Sequence, residues 1–214
     1  MITIEYVCTG NNGRSPMAEA IAKDHVMKHG LVDRVRVMSS GSGLHERTMK
    51  EGEELVKQKL SLVELALQNG LYQEGWRRAN AELAVAGAKL GTPELLGEFF
   101  NYAVRVEGIL RDQALWEKGL VADGKYHQPT VARPDDAGQR VILPMAASNV
   151  DQVRRIYAGF ENQPCVLTSL NEYAGIYGDV PNPFCKQLPA YQEARKHLML
   201  AVPQTVDRAV RELL

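Results

Sequence analysis

Apolar side chains at Ile2, Ile4, Tyr6 and Val7 make a short β-rich run that stops at Cys8-Thr9-Gly10-Asn11-Asn12-Gly13, a polar segment carrying two glycines. The pattern predicts a strand entering a loop. Behind it, Met17, Ala20, Ile21 and, less regularly, Val26 give a helical apolar face to about Lys28, with Pro16 where a first helical turn tolerates proline. Val35, Val37 and Met38 form a second short strand that ends in Ser39-Ser40-Gly41-Ser42-Gly43. Two such units in succession favour an α/β sheet.

From about Met49 to Gln139 the pattern changes to helix, as in Leu96, Phe99, Ala103, Val106 and Leu110, which recur at three- and four-residue steps. Thr92-Pro93 offers a cap and first-turn proline for that helix. After turn-rich Arg133-Pro134-Asp135-Asp136-Ala137-Gly138, strand character returns at Val141-Ile142-Leu143. A helix from Asn149 to Tyr157, a strand at Cys165-Val166-Leu167 and a C-terminal helix from about Leu188 are expected, with Pro203 as a break or kink in the last. The fold class expected is a three-layer α/β/α arrangement with a four-stranded parallel sheet. Residues 1–214 form a single domain in this reading, and residues 61–139 form a helical insertion within it, with Trp76, Phe99, Phe100, Tyr102 and Trp116 expected mostly in its core.

Composition narrows the function classes. The 214 residues are 45% hydrophobic, and Lys+Arg 25 against Asp+Glu 26 leaves a formal net charge of -1. Such a chain supports a sizeable core and gives no global electrostatic reason to bind nucleic acid or an acidic membrane, so an anion site has to be local. Cys8, Cys165 and Cys185 suit neither a disulfide framework nor a CxxC metal site. No stretch sustains the roughly 18 apolar residues of a membrane span. The expected location is the cytoplasm.

The local anion site is the loop at 8–15. A thiol at Cys8 and a guanidinium at Arg14 flank a glycine-bearing loop that runs into a helix, so backbone N–H groups of Thr9, Gly10, Asn11, Asn12 and Gly13 can point at one anion beside the positive helix end. Arg14 adds a bidentate grip on two phosphoryl oxygens. The same field favours a thiolate at Cys8, Ser15 is placed to donate to its sulfur, and a thiolate held there is a nucleophile aimed at phosphorus. A buried strand-end cysteine followed by a solvated arginine is the bland alternative, but strand, glycines, helix and Pro16 all stand in the right order.

Val7-Cys8-Thr9-Gly10-Asn11-Asn12-Gly13-Arg14-Ser15-Pro16-Met17-Ala18-Glu19-Ala20 closely resembles the N-terminal signature of low-molecular-weight protein tyrosine phosphatases, whose fold is shared by one class of arsenate reductases. Ser39-Ser40-Gly41 resembles the segment after that family's second strand, and Met145-Ala146-Ala147-Ser148-Asn149 its turn after the third. The resemblance covers roughly residues 1–60 and 141–214. It implies phosphate monoester hydrolysis through a phosphocysteine on Cys8, with Arg14 binding the phosphoryl group, Asn11 bracing the loop and Ser15 supporting the thiolate. A phosphorylated substrate is implied, without cofactor or metal. Ser40, Asn182 and Phe184 would stand at the rim of the site.

Several positions depart from the family. Its general acid is an aspartate directly before a proline, yet Asp179-Val180-Pro181-Asn182-Pro183-Phe184-Cys185 places the amide of Asn182 there. General acid help is worth about 10²- to 10⁴-fold, so its loss would cripple turnover unless another group substitutes. Asp179 is the candidate substitute, against its reading as a solvated turn residue. Ala146 replaces an aspartate, and Gly13 stands where many members carry a second cysteine. Cys185 is either an inert loop residue or a thiol near the phosphate site, while Cys165 is expected in the core. A catalytically weak module that binds phosphate or a phosphoprotein is therefore the rival reading, and arsenate reductase a weaker one. The insertion's surface would serve as a cap over the loop or as a homodimer interface. His25 and His29, four apart, read as a solvated helix end rather than a metal pair, His45 as a loop histidine either at the rim of the site or unconnected with it, and His127 and His197 lack partners nearby in sequence.

Overall fold

A computed structural model of the chain describes residues 1–43, 52–72, 75–122, 139–158 and 164–214. The first strand, β1 (Ile2–Cys8), leads into α1 (Arg14–Lys28) and β2 (Val35–Gly41). Three helices follow, α2 (Glu53–Gln68), α3 (Gly75–Lys89) and α4 (Leu96–Trp116). The chain then runs through β3 (Gln139–Pro144), α5 (Ala147–Tyr157), β4 (Val166–Leu167), α6 (Leu170–Ala174) and α7 (Leu188–Leu213).

The four strands form one parallel sheet in the order β2-β1-β3-β4, with Cys8 opposite Gly41 at one flank and Val7 opposite Pro144 at the other. This is the fold class expected from the sequence. Alternation along β1 sorts its side chains between two layers. Ile2, Ile4 and Tyr6 join Met17, Ile21, Leu198 and Val202 of α1 and α7 in the main core. Val7 faces the other way, with Ile142 of β3 and Val153, Ile156 and Tyr157 of α5. The Tyr6 hydroxyl reaches Thr205 Oγ1 at 3.0 Å, and its burial holds the phenol above its ordinary pKa. Because β1 has neighbours reached by connections leaving in opposite directions, the chain splays apart beyond its carboxyl end, where open parallel sheets hold their ligands. Cys8 is the last residue of that strand.

Helices α2, α3 and α4 enclose a second apolar cluster, in which Val63, Ala66, Tyr72, Ala81, Leu96 and Ala103 are buried and Phe99, Phe100 and Tyr102 pack alongside. Trp76 and Trp116 do not belong to it: they are 61% and 77% exposed, and the Arg77 guanidinium lies 4.7 Å from the Trp76 ring. Thr92 also departs from expectation. Its hydroxyl and N–H both bond Gly87 O, so it closes the end of α3, and Leu95 is the residue that precedes α4. Pro203 lies inside α7 without ending it. The carbonyl left unbonded by the missing N–H is that of Met199, an exposed residue that water can reach.

Cys165 is exposed rather than in the core, because β4 is a two-residue edge strand that begins after it. The turn-rich segment at 133–138, His45 and His127 lie outside the described residues. Among the described residues no helix is long and apolar enough to cross a membrane.

Candidate active site

Beyond the end of β1 lies a cavity of about 210 Å³ lined by Cys8, Thr9, Gly10, Asn12, Gly13 and Arg14 from the loop. Gln58 and Leu62 of α2, Val104 and Glu107 of α4, and Asn182 and Phe184 from the segment before α7 complete its wall. Two halves of the chain therefore meet there: the sheet with its phosphate loop, and the helical block.

The loop is held from beneath. Asn11 takes a left-handed backbone at φ 47, a region that asparagine tolerates better than most residues, and its buried amide donates to Ser39 O at 3.4 Å. The Ser15 hydroxyl lies 3.0 Å from Cys8 Sγ, 3.0 Å from Asn11 Oδ1 and 3.3 Å from Ser40 O. One proton serves those three acceptors, so Ser15 can turn to the sulfur when it carries charge. Asn11 and Ser15 thus brace the loop and do not line the cavity. Ser40, expected at the rim, is fully buried below it, where its hydroxyl donates to Glu5 and Glu5 pairs with Arg140 at 3.1 Å. Polar residues inside this sheet are tolerated because they satisfy one another.

On the flank, the Asn149 amide donates to Thr9 Oγ1 at 3.0 Å and to Gln152 Oε1 at 3.1 Å. The Ser42 hydroxyl also reaches Gln152 Oε1, at 2.7 Å. Arg14, the first residue of α1, is 8% exposed and directs Nη1 to Val180 O at 3.3 Å, which orients the guanidinium along the cavity wall. The first turn of α1 contains no acidic side chain to compete with an anion at its N-terminus.

The sequence-level reading missed the clamp from α4. Asn12 donates from Nδ2 to Val104 O at 2.7 Å and to Glu107 Oε2 at 3.0 Å, while its own carbonyl accepts from Arg111 Nη1 at 2.7 Å. Glu107 and Arg111 are both buried, four residues apart, in a helix whose other buried positions include Ala103, Ala114 and Leu115. Charged groups at the centre of a buried stripe are the signal that could have found them. Gly13 belongs to the same contact: a Cβ there would stand 2.4 Å from Glu107 Oε1, so only glycine lets the carboxyl approach the loop this closely.

Asn182 and Phe184 line the cavity as expected. Asp179 does not. It is exposed, and its Oδ1 accepts from the Ala147 N–H at 3.0 Å, capping the start of α5. Cys185 is buried in the second apolar cluster, where burial, reinforced by the charge of Glu107, pushes its thiol up to about 12. That makes it packing rather than a partner thiol for Cys8. His25 contacts Asp207 Oδ1 at 2.8 Å and lies beside His29, and no group of three metal-ligating side chains occurs among the described residues.

Residues 3–82 match the family described as low molecular weight phosphotyrosine protein phosphatase. Over 43 residues the chain is 49% identical to low molecular weight protein-tyrosine-phosphatase YfkJ of Bacillus subtilis, which is 20% of this chain and 28% of that protein. Over 40 residues it is 50% identical to low molecular weight protein-tyrosine phosphatase A of Mycobacterium tuberculosis, 19% of this chain and 24% of the other. The matched segment thus spans less than a third of the length of these curated relatives. The crystal structure of YfkJ from Bacillus subtilis is similar over 100% of this chain and 98% of its own, with a TM-score of 0.59 at 20% identity, a likeness of fold. By sequence the likeness to low molecular weight phosphatases is confined to residues 3–82, and over the rest of the chain it is a likeness of fold.

Proposed function

We propose that the protein hydrolyses phosphate monoesters, in the manner of a protein tyrosine phosphatase, through a phosphocysteine on Cys8. The observation that carries this reading is the placement of Cys8 Sγ within hydrogen-bond reach of Ser15 Oγ in a cavity that Arg14 also lines. Loop N–H groups and Arg14 receive the phosphoryl oxygens, and the Cys8 thiolate attacks phosphorus in line with the departing oxygen. Water then attacks the phosphocysteine, the P–S bond breaks, and Ser15 stabilises the thiolate as it leaves.

In this reading residues 61–139 are an insertion, and Leu62, Val104 and Glu107 from it, with Gln58 just ahead, roof the phosphate loop. The substrate is a phosphate monoester whose organic group leaves between Leu62, Val104 and Phe184.

Asn182 at the usual donor position favours a second reading, a module that binds phosphate or a phosphoprotein without rapid turnover. Two measurements separate them. Calorimetric titration with vanadate gives binding that Arg14→Ala removes under either reading, whereas turnover of an activated aryl phosphate, abolished in Cys8→Ser, occurs only under the first. Vanadate binding without any turnover leaves the binding module. Absence of binding overturns both.

A further inference from the structure

We infer that Glu107 of α4 is the general acid of this site, replacing the proton donor that Asn182 cannot be. The inference rests on the phosphatase reading and assigns the step that reading leaves open. An amide at position 182 carries no proton that it can release to an alkoxide or phenoxide. Asp179 is spent on the N-terminus of α5, outside the cavity. Among the described residues that line the cavity, Glu107 is the carboxyl, and it shares that lining with Cys8 and Arg14.

Its position is built rather than incidental. Oε2 is tied to Asn12 Nδ2 at 3.0 Å, so the carboxyl is held against the loop itself. Oε1 occupies the space that a side chain at position 13 would take. The helix that carries it is fixed to the same loop residue by the Val104 carbonyl and the Arg111 guanidinium, each at 2.7 Å. Donor and nucleophile therefore move together, the condition that positioning demands of an acid. A phosphate dianion bound in the cavity favours the proton-bearing form of a carboxyl that lines it, while Arg14 and Arg111 act against that shift.

The steps balance without a further reagent. Cys8 thiolate forms the S–P bond as the ester P–O bond breaks, and the departing oxygen takes the Glu107 proton, leaving a carboxylate. That carboxylate then takes a proton from the water whose oxygen attacks phosphorus. The P–S bond breaks, inorganic phosphate forms, and thiolate and protonated carboxyl are both restored.

The titratable and charged groups around the carboxyl are Cys8 and Arg14, which line the same cavity, Arg111 one turn along α4, and Cys185 and Tyr191, both of which feel its charge. Burial holds the Cys185 thiol and the Tyr191 phenol well above neutrality, so neither sets an alkaline limb near neutral pH.

The test compares leaving groups. With phosphotyrosine or an alkyl phosphate, Glu107→Gln should lower kcat/KM by about 10²- to 10⁴-fold. An aryl phosphate with a strongly acidic phenol, which departs without a proton, should change far less. The alkaline limb of the parent's pH profile should vanish, and Glu107→Asp should recover part of the rate. A role confined to bracing the loop would lower all esters by one factor and keep the limb, and that result overturns the assignment, as does an unchanged rate.

Should Glu107→Gln not fold, Glu107→Asp serves alone as the variant, since it keeps a carboxyl on α4 and shortens its reach. It should show a milder loss of the same selective kind, and an equal loss for every ester sinks the idea. Turnover in the parent that ignores Glu107 refutes this assignment alone. No turnover in the parent and no phosphoryl group on Cys8 refute the phosphatase reading, and Glu107 as its acid falls with it.

Discussion

Replacing Asn11 by alanine should weaken oxyanion binding sharply, although Asn11 does not line the cavity. The residue sits at φ 47, buried, with its amide oxygen 3.0 Å from the Ser15 hydroxyl and its amide nitrogen 3.4 Å from Ser39 O. An alanine held in the left-handed region costs about 1 kcal/mol. A buried acceptor left without its donor costs about 1 to 3 kcal/mol more. The Ser15 proton can turn to Cys8 Sγ or Ser40 O, so the stranded group is Ser39 O.

The sum, about 2 to 4 kcal/mol, becomes a 30- to 700-fold rise in the vanadate dissociation constant if the loop relaxes to escape the strain. If the loop keeps its shape, the same energy falls on the fold and lowers the melting temperature by roughly 4 to 16 °C at this chain length. Calorimetric titration and thermal unfolding on one preparation read both outlets. Asn11→Gly, which tolerates the backbone but lacks the amide, should bind more tightly than Asn11→Ala. Parent-like affinity together with a parent-like melting temperature in Asn11→Ala would refute the bracing argument.

Other perturbations separate support from chemistry. Ser15→Ala removes a donor to the Cys8 sulfur, and hydrogen bonds to charged groups are worth about 1.5 to 3 kcal/mol, so turnover should fall about 10- to 150-fold; a smaller loss in steady-state rates would place the Ser15 proton elsewhere. Asp179→Ala should lower the melting temperature through a lost cap worth about 0.5 to 2 kcal/mol while kcat/KM stays unchanged, and a selective loss of activity would return Asp179 to the chemistry. His197 is half-buried beside Asn171 Oδ1 at 2.8 Å, and desolvation lowers its pKa in the fold. The unfolded chain therefore binds a proton first as pH falls below about 6.5, and stability should drop from there toward the lower folded pKa. His197→Asn should flatten that slope in denaturant titrations, and an unchanged slope would contradict it.

The strand, loop and helix around Cys8 were legible in the sequence because a single local pattern, β-rich run, glycines and Pro16, sets all three. Contacts among the loop's own neighbours were legible too, since Asn11 and Ser15 lie within seven residues of Cys8. What the sequence did not disclose depends on contacts across long separations. Glu107 and Arg111 reach Asn12 from about one hundred positions away, and on a helical wheel they look like polar residues beside Val106 and Leu110. Asp179 looked like a substitute acid because it precedes Asn182, whereas the fold turns it toward α5. Trp76 and Trp116 followed helical spacing yet remain outside, because Phe99, Phe100 and Tyr102 already fill the space between the helices. Pro203 was read by its local rule, yet the helix runs on through it, with the unpaired carbonyl at Met199, an exposed residue.

The central claim is that Cys8 takes the phosphoryl group, and acid quenching during turnover of an activated aryl phosphate tests it most directly. Peptide mass spectrometry of the quenched protein should find one phosphoryl group on the peptide that contains Cys8, absent from Cys8→Ser and from protein quenched without substrate. Turnover that proceeds with no phosphoryl group on that peptide, or that persists in Cys8→Ser, would contradict the account.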